Sequence, residues 1–71
     1  MIRKGIDKLI GKECKIIARE PGEEYPFVVF GTLTEIDHTN GFLVVDSKEG
    51  IGCINIATVE AIRPKIKDDY L

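Results

Sequence analysis

The sequence predicts a mainly β fold: a short N-terminal α-helix followed by a five-stranded, strongly bent antiparallel sheet closed into a small barrel. Three observations predict it. Five short runs rich in apolar, β-branched and aromatic residues follow from Cys14 onward, the first of them with a period of two. Gly, Pro, Asn and Asp clusters separate those runs and leave no room for a helix between them. Only residues 2–10 carry a helical period. A chain of 71 residues holds a single hydrophobic core, since a domain of this size buries roughly 60% of its unfolded surface. Residues 1–64 are therefore expected to form one domain and residues 65–71 a charged tail.

In residues 2–10, Ile2, Ile6, Leu9 and Ile10 share one helical face while Arg3, Lys4, Asp7 and Lys8 take the other. Gly11 stands where a left-handed residue ends a helix at little cost. The first strand, near 13–19, alternates Cys14, Ile16 and Ala18 against Lys15, Ile17 and Arg19. Two prolines and a glycine make residues 21–26 an exposed loop. The second strand, near 27–37, is rich in β-branched and aromatic residues, and Gly31 within it marks the expected bend. Asn40-Gly41 is a hairpin signal leading to a third strand near 42–46. A turn at Asp46 to Gly50 leads to a fourth strand near 51–56. Ala57-Thr58 then makes a tight turn before a fifth strand near 59–63, which Pro64 stops for lack of an amide. Closure of such a meander removes most of its exposed edge, and a further copy of the chain covers what remains.

Composition excludes several classes of function. Ten Lys and Arg against twelve Asp and Glu give a net charge of −2, which is not the basic footprint of a duplex-DNA binder. Charged residues interrupt the start of the chain, and no apolar run is long enough to cross a bilayer, so a cytoplasmic location with reduced thiols is expected. Two separated cysteines, Cys14 and Cys53, and the single His38 lack the paired spacing of a zinc site, so no metal is expected. No nucleophile stands with a base and an orienting acid, and no glycine-rich phosphate loop is present. Neither an enzyme nor a cofactor is expected.

The order of elements and several residues resemble the Sm-like family of small SH3-like β-barrels, the Sm, LSm and Hfq proteins, over residues 2–64. The helix junction reads Leu9-Ile10-Gly11-Lys12, and the first family motif falls on Gly31, Leu33, Ile36, Asp37, Asn40 and Leu43. Asn40 follows Asp37 by three places where the family has four. Asn55 and Ile56 stand where a gapless alignment would put the Arg-Gly pair of the second motif, and the Hfq-type Lys-His is equally missing. The resemblance implies a homo-oligomeric ring in which the fourth strand of one copy pairs with the fifth of the next. It also implies single-stranded RNA binding through the loop Asp37, His38, Thr39 and Asn40.

Those four residues are the candidate RNA-binding site. Carboxylate and amide groups can bond a splayed base edge, and the His38 ring can stack on its face. The same residues also suit a plain hairpin turn, capped by the Asp and Asn side chains. Arg63, Lys65 and Lys67 form a small basic strip, offset by Asp68 and Asp69. The alternative function is a small-barrel module that binds protein through a strand edge or the Pro21 to Pro26 loop without nucleic acid.

Overall fold

A computed structural model describes residues 5–65 of the chain. Five strands, β1 (Glu13–Ala18), β2 (Phe27–Asp37), β3 (Phe42–Ser47), β4 (Gly50–Asn55) and β5 (Val59–Pro64), form one sheet in the order β4-β3-β2-β1-β5. Every pairing is antiparallel. The expected five-stranded antiparallel sheet is present but is not closed into a barrel: β4 and β5 are its two outer edges. The cause lies in the connector. Ile56–Thr58 forms one turn of 3-10 helix that carries the chain away from β4, and β5 takes the free edge of β1 instead.

The expected α-helix over 2–10 is corrected. Ile6–Leu9 is a four-residue 3-10 helix, and Ile2, Arg3 and Lys4 lie outside the described residues. Gly5 has φ 90° and Ile10 is already extended at ψ 131°, so neither flank can continue an α-helix. Ile6 is buried and Leu9 half-buried, but Ile10 faces solvent, so the anticipated apolar stripe is shorter than its spacing suggests. The turn is fastened to the sheet from both sides: the Gly11 amide donates to the Leu33 carbonyl at 2.6 Å, and the Leu33 amide donates to Lys12 at 3.1 Å.

β2 organises the rest. Its first half pairs with β1, from Ala18 opposite Phe27 to Glu13 opposite Thr32. Its second half pairs with β3, from Thr32 opposite Asp46 to Asp37 opposite Phe42. The irregularity lies between Leu33 and Glu35, a few residues past the glycine expected to mark it. Gly31 has a different duty. A Cβ there would stand 2.6 Å from Val45 Cγ1 and 2.8 Å from the Asp46 carbonyl oxygen, so β3 can pack across β2 only over a residue with no side chain.

The core collects on the inner face: Ile6, Cys14, Ile16, Leu33, Leu43 and Val45 are buried together. Alternation explains it, because Cys14, Ile16 and Ala18 of β1 point inward while Glu13 and Lys15 are exposed. Burial pushes the Cys14 thiol above its ordinary pKa, with the neighbouring Glu13 charge adding to the effect, so this thiol stays neutral. Cys53 is exposed, and both cysteines are free.

Candidate functional site

The 37–41 loop joins β2 to β3, where Asp37 and Phe42 are the last facing pair. Its bonding begins with Asp37. One carboxylate oxygen, Oδ1, accepts the backbone amide of Asn40 at 3.0 Å, and Oδ2 accepts the Asn40 side-chain amide at 2.9 Å. The Gly41 amide donates to the Asp37 carbonyl at 2.7 Å, and Gly41 takes φ 79°. The loop is thus a tight turn of four residues, built on the Asp and Asn side chains as their turn chemistry predicts. The hydrogen bonds from Asn40, its side-chain amide first and its backbone amide second, hold the Asp37 carboxyl below the usual carboxylate range.

Two further ties fix the loop against its surroundings. His38 Nε2 lies 3.1 Å from Asp7 Oδ1, on the first 3-10 turn, with both side chains exposed. The Ile56 amide donates to the Gly41 carbonyl at 2.8 Å, which binds the loop to the second 3-10 turn. Asp37 is half-buried, whereas His38, Thr39 and Asn40 face solvent. The four predicted site residues therefore stand together on one hydrogen-bonded turn, with Asp37 as its brace and the other three as its exposed surface.

Sequence reasoning missed two neighbours of this turn. Asp7 comes from a segment read as a solvated helix face, and nothing in its own residues signals the contact. Asn55 faces Phe42 across β3 and β4, so the position aligned with the second motif lies beside the loop. Its carbonyl Oδ1 accepts the Ala57 amide at 2.9 Å and caps the second 3-10 turn. Compared with known protein families, curated proteins and solved structures, the chain matches none.

A concavity lies elsewhere. A groove of about 760 Å³ runs between the outer side of β2, at Val28, Phe30 and Thr32, and the β3–β4 turn at Asp46 to Glu49. It is open and contains none of the loop residues. Lys65, part of the anticipated basic strip, is at its rim and pairs with Glu13 at 3.7 Å, while Lys67 lies outside the described residues. Among the described residues no helix is long and apolar enough to cross a membrane.

Proposed function

We propose that this chain is an Sm-like subunit that assembles with copies of itself through its sheet edges and binds single-stranded RNA on the 37–41 loop. The observation that carries this reading is the state of the edges. The sheet ends on β4 and β5, β4 contains no charged residue, and its Ile51 is 76% exposed. A soluble protein ordinarily protects such an edge with charge, proline or a cover, and β4 has none of these among the described residues. Pairing β4 of one copy with β5 of the next supplies the cover and repeats into a ring. The protein acts by binding, not by catalysis.

The loop geometry supports the second half of the reading. Asp37 orients the Asn40 amide, whose carbonyl oxygen stays available to a base edge, and His38 offers an exposed ring for stacking. Asn55 in place of an Arg-Gly pair removes a positive charge from that neighbourhood, so binding is expected to be weak. Solution mass, followed by titration of short U-rich and A-rich single strands at stated salt, tests both halves. The reading expects a mass above that of one chain, saturable binding, and loss of affinity by about fivefold or more in His38→Ala and Asn40→Ala. A monomer indifferent to both strands overturns it. Assembly without RNA binding would favour the protein-interaction reading, to which the open edges and Tyr25, 75% exposed in the Pro21 to Pro26 loop, also lend themselves.

A further inference from the structure

The outer face of the sheet is divided by charge. On β1 and β5, Lys15 stands opposite Arg63 and Ile17 opposite Ala61, and β2 continues the rows with Phe30 and Val28. The acids of this half are already matched, Glu13 by Lys65 at 3.7 Å and Glu60 by Arg19 at 2.6 Å. Lys15 and Arg63 have no ion-pair partner among the described residues. On the other half, one row reads Thr32, Asp46, Ile51 and the next Glu35, Val44, Cys53. Asp46 and Glu35 are exposed and likewise have no cationic partner among the described residues. One half of the face is left positive and the other negative.

Strand geometry turns this division into a register. β4 and β5 each have six residues, and an antiparallel pairing of their full lengths sets Gly50 opposite Pro64 and Asn55 opposite Val59. Ile51 then faces Arg63, and Cys53 faces Ala61. All four are outward residues, so the pleats of the two copies agree. Since Asp46 is the cross-strand partner of Ile51, the row across the junction reads Thr32, Asp46, Ile51, then Arg63, Lys15 and Phe30 of the neighbour. Asp46 and Arg63 are two strand spacings apart in that row, about 10 Å between backbones, a gap that a long guanidinium side chain spans. Pairing β5 with β5 over their full lengths would instead set Arg63 opposite Glu60 and outward Ala61 opposite inward Ile62, so the pleats of the two copies disagree.

Resting on the self-assembly proposed above, we infer that Asp46 and Arg63 fix the polarity and register of the contact, β4 to β5, antiparallel, with Cys53 of one copy opposite Ala61 of the next. Neither like-to-like pairing brings Asp46 near Arg63, so the ion pair favours the unlike contact, which is how an interface discriminates between partners.

The exposed thiol of Cys53 makes the register measurable. Facing residues of an antiparallel pair have Cα atoms about 4.5–5.5 Å apart, which a disulfide bridges. Cys14 is buried on the inner face and does not compete. Treated with diamide, which takes up the two electrons and two protons released, the full-length Ala61→Cys variant should form a covalent ladder on a denaturing gel. Formation should be at least tenfold faster than for Val59→Cys or Glu60→Cys. Asp46→Arg and Arg63→Asp should each lower the assembled mass, and the double swap should restore it while refusing to mix with wild-type chains. Equal crosslinking at the three positions, or a mass indifferent to either charge reversal, overturns the inference and leaves self-assembly standing. A wild-type chain that stays monomeric overturns both.

Discussion

The three central strands and the two edge strands are finished to different degrees. β1, β2 and β3 hold Cys14, Ile16, Ala18, Leu33, Leu43 and Val45 out of water. Neither β4 nor β5 has a single fully buried residue. Both kinds of strand have apolar residues in the right alternation, so propensity does not separate them. What separates them is the number of neighbours: each central strand is paired on both sides, each edge strand on one. One chain therefore completes its own centre and leaves each margin paired on one side only.

The sharpest way to break that contrast is to cut equally into both parts. Leu33→Ala, at 0% exposure, should cost about 3 kcal/mol in denaturant unfolding, whatever the protein concentration. Ile54→Ala, at the one half-buried position of β4, should cost clearly less in dilute solution and progressively more as concentration rises and the edge is covered. Equal losses at every concentration would mean that β4 belongs to the finished centre.

Gly31→Ala should follow in size, at about 2 kcal/mol. Its Cβ would meet the Asp46 backbone oxygen at 2.8 Å, and backbone cannot turn aside as a side-chain tip can. The damage should appear as a looser β2–β3 pairing, read by hydrogen exchange of the β3 amides, with β1 and β5 less affected. At the margin, Ile51→Lys should change the stability of the isolated chain by no more than about 0.5 kcal/mol yet lower the assembled mass, because a charge on an edge strand opposes pairing. An unchanged mass would remove the edge from the assembly argument.

The sequence made the strands legible because their signals are local: alternation in Cys14 to Ala18, β-branched and aromatic residues in Phe27 to Ile36, and turn residues between them. The turn over 37–41 was legible for the same reason, since Asp37 and Asn40 bond to each other. Closure was not legible, because whether β5 joins β4 or β1 depends on where a three-residue 3-10 turn points the chain. The front helix failed at both flanks: Ile2, Ile6, Leu9 and Ile10 have helical spacing, but Gly5 takes a left-handed conformation and Ile10 an extended one, neither of which an α-helix can include. The tie from His38 to Asp7 spans distant positions and left no trace in either segment.

The smallest expected effect tests the loop against the edges. Asp37 is held below the ordinary carboxylate range by Asn40, so its contribution to the folded state is present above about pH 4 and is lost as pH falls through the depressed native value. Asn40→Ala removes the largest cause of that depression and should return the Asp37 carboxyl toward its ordinary value, a shift visible by NMR titration. Both partners belong to one turn of one chain, so the titration should be the same in dilute and concentrated samples. The ion pairing inferred between Asp46 and Arg63 of neighbouring copies should instead weaken on dilution and with salt. A loop titration that moved with protein concentration would tie the 37–41 turn to the assembled margin, not to the self-sufficient centre.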